Sequence, residues 1–81
     1  MITVLYFAAV RDLVGKDEEQ LALPADVATI AALTAHLARV HPELDGRLAH
    51  VRLARNEEFS RAEDPVAEGD VIALIPPVAG G

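Results

Sequence analysis

Two uninterrupted apolar runs, ITVLYFAAV at residues 2–10 and VIALI at residues 71–75, bracket this chain and limit what it can fold into. A strand buried on one face alternates in polarity. A strand flanked by partners and covered on both faces reads as continuously apolar. The two runs therefore predict that the first and last strands of the chain are the central strands of one sheet. The first is expected to stay extended from residue 2 to residue 10 and to stop at Arg11 and Asp12.

What lies between them changes period twice. RDLVGK turns the chain, with Gly15 as the expected positive-φ position, and EEQLAL alternates charged and apolar residues through Leu21 and Leu23. Pro24 ends that second strand, so the first two runs predict an N-terminal hairpin. Ile30, Leu33, Leu37 and Val40 then recur at steps of three and four, the stripe of one amphipathic helix. Thr29 is the expected N-cap, and Pro42 stops the helix near His41. HVRLA predicts a third strand with Val51 and Leu53 facing inward. A turn at Asn56 and Glu57 leads to a brief edge strand around Phe59, and AEDPVAEGD is a polar connection into the last strand. The order β-β-α-β-β-β, with the most apolar strands central, predicts an α+β fold of the β-grasp type, the arrangement ubiquitin has. It is a mixed sheet of about five strands packed on one main helix.

An 81-residue chain accommodates one domain, expected over residues 1–75, and its 52% hydrophobic content suffices for a core. Thirteen acidic residues against seven basic ones disfavour a nucleic-acid binder, which needs a positive footprint. The apolar start is too short to span a bilayer and has no basic leader or cleavage site, so no membrane partner is expected. The lack of cysteine rules out disulfides, thiolate metal sites and a cysteine nucleophile, and fits a cytoplasmic location. His36 and His41 are five apart and do not share a helix face as metal ligands would. His41 is expected to sit favourably at the negative end of the helix dipole. The acidic groups 17–19, 57–58 and 63–64 read as solvated turns.

The chemistry-bearing segment is the end, PPVAGG. Pro76 and Pro77 cannot donate to a strand ladder, so pairing is cut after Ile75 and the chain is held extended. Val78 and Ala79 are small, and Gly80 and Gly81 present no side chain at all. Residues 76–81 can extend about 20 Å beyond the sheet. A thin peptide ending in a carboxylate can thread a narrow channel that any Cβ would obstruct.

The ending GDVIALIPPVAGG, the opening VLYFAAVRDLVG and the turn ARNEEF together resemble the small, sulfur-carrying subunit of molybdopterin synthase, over essentially the whole chain. Arg55 departs from the small apolar residue expected before Asn56. The resemblance implies that the Gly81 carboxylate is adenylated by a ubiquitin-activating-type enzyme, which uses the ATP. It then becomes a thiocarboxylate at the expense of a sulfur donor enzyme. The large synthase subunit finally uses that sulfur to build a dithiolene on a pterin precursor. In that scheme this chain is a non-catalytic sulfur donor and binds no cofactor itself. Gly80 admits the tail, Pro76, Pro77, Val78 and Ala79 aim it, and Gly81 carries the sulfur. Phe7 and Ile75 share the strand parity opposite to Val4 and Tyr6, so they are expected on the sheet face away from the helix. Phe59 would extend the resulting apolar patch, and the resemblance implies that both partners dock there. A thiamine-pathway sulfur carrier, a ubiquitin-like protein modifier and an inert β-grasp interaction domain remain alternatives on these residues.

Overall fold

Hydrogen-bond partners decide how far each apolar run stays extended. The computed structural model describes residues 1–77. Strand β1 (Ile2–Tyr6) leads into helix α1 (Ala8–Val14), then strand β2 (Glu18–Leu21) and helix α2 (Ile30–Val40). A 3-10 turn at Pro42–Leu44 precedes strands β3 (Arg52–Arg55), β4 (Glu58–Phe59) and β5 (Val71–Ile75). The sheet order is β2-β1-β5-β3-β4, with β1 and β5 parallel and the other pairs antiparallel. The first and last strands are adjacent and lie inside the sheet, as their apolar sequences require. This is the β-grasp arrangement.

The inner face is built by alternation. Ile2, Val4 and Tyr6 of β1, Ile72 and Leu74 of β5 and Leu53 of β3 are buried against Ile30, Leu33 and Leu37 of α2. Leu33 and Leu37 are wholly buried, so truncating either to alanine should cost about 2–5 kcal/mol. Thr29 caps α2 as expected, its hydroxyl accepting from the Ala32 amide at 3.2 Å. Val40, expected in the core, is 39% exposed. The chain turns at His41, and Leu44 from the 3-10 turn closes that end of the core instead.

The first run does not stay extended to residue 10. Its ladder to β2 ends at Leu5 and its ladder to β5 ends at Tyr6. Beyond that point the backbone has no strand to pair with, and it satisfies its own polar groups as α1. Val10, Leu13 and Val14 fall at helical spacing and pack onto the core, and Gly15 terminates the helix at φ 85° with its amide on the Arg11 carbonyl at 2.8 Å. β1 and β2 therefore pair as expected but are joined by a helix rather than a tight turn.

Two carboxylates expected to be solvated or left without a role are structural. Glu19 pairs in register with Val4 and so faces the helix side, where Tyr6 donates its hydroxyl hydrogen to it and His41 Nε2 and Lys16 approach it. The other ring nitrogen of His41 lies 3.2 Å from Glu43, and the ring meets Tyr6 edge-on. Burial pushes the Glu19 carboxyl up, but the bonds from Tyr6, His41 and Lys16 outweigh it and hold the group below its ordinary range. Burial, reinforced by Glu19, raises the Tyr6 phenol.

Asp70, buried at the start of β5, accepts from Arg55 Nε at 2.6 Å, the Ala67 amide at 2.8 Å and Asn56 Nδ2 at 3.1 Å. This accounts for Arg55: its guanidinium ties β3 to the loop before β5. Asn56 completes the tie, accepting the Val71 amide at 2.9 Å on its side chain and donating its own amide to the Val71 carbonyl. Burial again pushes the Asp70 carboxyl up, but the bonds from Arg55, the Ala67 amide and Asn56 outweigh it and hold the group below its ordinary range.

Both carboxyls thus have folded-state values below their unfolded ones. Their contribution is present above the unfolded pKa and is lost as pH falls through the folded one. Stability should decline in acid, below about pH 5. Asp70→Asn should cost about 1–3 kcal/mol at pH 7 and flatten that decline. Urea midpoints of both chains at pH 7 and pH 4 check this; parallel declines would remove Asp70 as a source of acid sensitivity.

Candidate functional site: an apolar sheet face at the root of the tail

Helix α2 covers one face of the sheet, and the side chains that alternate with the core emerge on the other. Leu5 of β1, Val71, Ala73 and Ile75 of β5, and Phe59 of β4 line one shallow depression there, joined by Phe7. Its volume is about 250 Å³. Phe7 stands one residue past β1 rather than inside it. Its backbone is still extended (φ −120°, ψ 148°), so its side chain keeps the parity of Leu5. Phe7 is 45% exposed and Phe59 is 56% exposed, large rings in contact with water that no element of the described fold covers. Such a continuous patch is the surface of a small domain most suited to a protein partner.

Three features make the patch more than scattered hydrophobes. First, β3 and β4 are joined by a two-residue turn with Asn56 at φ 50° and Glu57 at φ 73°. This turn type matches the strand twist and sets Ala54 opposite Phe59, so Phe59 is held on the outer face. Second, the Arg52 guanidinium lies over the Phe59 ring at 4.0 Å from its centre and holds the ring from the side nearest Ile75. Third, Ile75 both lines the depression and ends the last strand, so the patch runs directly to Pro76. Pro76 is half-buried and Pro77 is exposed, the first two residues of the tail. Val78, Ala79, Gly80 and Gly81 lie outside the described residues.

The structure therefore brings Phe7, Phe59, Ile75 and Pro76 together at one end of the outer sheet face. Arg52 escaped the sequence reading, although its signal was present. With Val51 and Leu53 assigned inward, Arg52 must point outward, and a two-residue turn at Asn56 and Glu57 brings it diagonally to Phe59. A larger depression beside α1 is lined by Arg11, Asp12, Gly15, Lys16 and Asp17. It mixes both signs of charge on an open turn and converges on no group. Among the described residues, no set of three histidine or acidic side chains is placed to hold a metal ion, and no helix is long and apolar enough to cross a membrane.

Comparison with known proteins places this geometry in a family. The model of the ThiS family matches residues 4–81. The molybdopterin synthase sulfur carrier subunit of Escherichia coli (strain K12) is 40% identical over 86 residues, covering all of both chains. That of Chlamydomonas reinhardtii is 39% identical over 82 residues, covering 99% of this chain and 98% of its own. Among solved structures, SAMP1 from Haloferax volcanii superimposes with a TM-score of 0.85 at 28% identity, over 99% of this chain and 98% of that one. With a family model spanning nearly its whole length and relatives matched end to end, this chain belongs to the ThiS family, beside the molybdopterin synthase sulfur carrier subunits.

Proposed function

We propose that this chain is the sulfur-carrying small subunit of a molybdopterin synthase, and that Gly81 carries the sulfur as a C-terminal thiocarboxylate. The observation that carries the reading is the continuity of the exposed apolar patch with the root of the tail through Ile75. A carrier must be held by its body while its end reaches into another protein's site, and here the patch adjoins the point where the last strand ends, at Ile75. The relatives that match the chain end to end bear the same role in their names.

The chemistry asks little of the domain. A carboxylate is a poor acyl donor because substitution would expel an oxide. An activating enzyme of the ubiquitin type removes that obstacle: a Gly81 oxygen attacks the α-phosphorus of ATP, pyrophosphate departs, and an acyl adenylate forms. Sulfide released by a donor enzyme then attacks the acyl carbon and AMP leaves, giving the thiocarboxylate. In the large subunit this sulfur is the nucleophile that attacks the pterin precursor, and water then cleaves the resulting thioester, leaving the sulfur on the pterin and restoring the Gly81 carboxylate. Proximity supplies the rate, since tethering converts a bimolecular delivery into an intramolecular one. Gly80 keeps the approach thin, and Pro76 to Ala79 set its direction.

The test is the intact mass of the protein purified from its own cells under non-reducing, non-alkaline conditions. A fraction heavier by the difference between sulfur and oxygen, mapped to Gly81, is expected. Only the unmodified mass, in cells actively making the cofactor, would overturn the carrier reading. The fold likeness to SAMP1 motivates a second reading, a ubiquitin-like modifier. Isopeptide conjugates of Gly81 on lysines in the same extract would support that one.

A further inference from the structure

The geometry points to an orientation device on the outer sheet face: Arg52 at the tail end of the apolar patch and Glu57 at the opposite end dictate which way round the large subunit docks. This inference rests on the proposed carrier role.

An apolar patch gives affinity without direction, because the hydrophobic effect is proportional to area and indifferent to a half-turn. A tail that must meet one channel needs that half-turn excluded. The two ends of this patch differ in charge. Arg52 pairs in register with Ile75, the last strand residue before the tail, and cross-strand partners share a face. Glu57 lines the other end of the depression, on a turn whose Asn56 amide is bonded to the Val71 carbonyl. From Val71 to Ile75 is four residues of strand, about 13 Å, which exceeds the screening length of about 8 Å at physiological ionic strength. The two charges therefore act as separate contacts.

Neither charge is paired with an opposite charge among the described residues. Among the same residues Arg39 and Arg47 form no ion pair either, but of these three arginines only Arg52 lies over a ring of the patch. Arg52 is instead fixed by its stacking on Phe59, so its position is set before any partner arrives. In a chain with a formal net charge of −6, a cation held unpaired beside an exposed aromatic ring fits a carboxylate on the surface that receives the tail. A basic group would face Glu57. Docking the other way round would set like charges against each other at both ends, and complementarity of this kind fixes register and speeds association.

Stopped-flow association with the large synthase subunit of the same organism tests this, using Arg52→Glu, Glu57→Lys and the double variant. Each single reversal should slow association about tenfold at low salt, and the deficit should shrink at high salt. The double variant, meeting an unaltered large subunit, should be slower than either single. Arg52→Lys should stay within a few-fold of the parent, which separates charge from the packing of Phe59, and Glu57→Lys does not touch that ring. Single reversals within twofold of the parent, with the parent binding normally, overturn the orientation device alone. Recovery in the double variant, whose net charge equals the parent's, would overturn it in favour of steering by net charge alone. A parent chain that does not bind the large subunit at all overturns the carrier reading together with it.

Discussion

Deleting Gly81 should abolish sulfur transfer while leaving the fold unchanged. The shortened chain still ends in a glycine carboxylate, so the chemistry of the end group is preserved and only its reach is altered. One residue of extended chain is about 3.5 Å. Reacting groups must come within about 3–3.5 Å of each other, and a misplacement of 1 Å already costs about 10²-fold. On the proposed role, a deficit of a whole residue would place the acyl carbon out of range of both the adenylating site and the large subunit. Adding one residue beyond Gly81 should fail for the same reason, with the carboxylate displaced the other way. The core runs from Ile2 to Leu74, so neither change removes a packed side chain, and urea midpoints should match the parent within error. A reconstituted synthase reaction measures the outcome. Dithiolene formation by the shortened chain at more than about one-hundredth of the parent rate would show that Gly81 does not carry the sulfur.

How much of this was legible without coordinates follows from the kind of signal each element sends. β5 and α2 were readable because each has a single unambiguous period and a proline or cap at its boundary: Thr29 and Pro42 for the helix, Pro76 for the strand. The stretch at residues 7–14 was not, because a continuous apolar run is compatible with either period. The deciding fact is non-local: neither β2 nor β5 extends far enough to pair with it. Buried carboxylates follow the same logic. Glu19 looks like one member of an acidic turn, and only the register that sets it opposite Val4 shows that it faces inward to Tyr6 and His41. Asp70 and Arg55 are fifteen residues apart and reveal each other only once β3 lies beside β5. The outer patch was legible by parity alone, since Phe7 and Ile75 needed only alternation and the adjacency of the first and last strands. Arg52 needed one step more, the exact pairing across a two-residue turn.

Phe7→Asp should weaken association with the large subunit and with the activating enzyme alike, by about 3–4 kcal/mol, or roughly 10²–10³-fold. The loss has two parts. Burying the ring contributes about 1.5–3 kcal/mol. The replacement also places an unpaired carboxylate in an apolar contact, which must either stay hydrated and hold the surfaces apart or be desolvated at a cost. The substitution is unusually clean with respect to folding. Phe7 is already 45% exposed, and it occupies the N-cap of α1, where it makes no side-chain cap bond. Aspartate is among the best N-cap residues, so the variant should fold at least as well as the parent. Phe7→Leu, which keeps most of the apolar area, should lose far less. Isothermal titration against each partner decides it: unchanged affinity for both would place the docking surface elsewhere, and loss for one alone would give the two partners separate surfaces. A shared surface carries a further requirement. On the proposed carrier role, the chain would have to leave an enzyme that loads Gly81 before one that unloads it could bind, so the two associations would be mutually exclusive, and each would have to be weak enough to release within a catalytic cycle. A small patch lined by eight residues, rather than a large obligate interface, suits such an exchange.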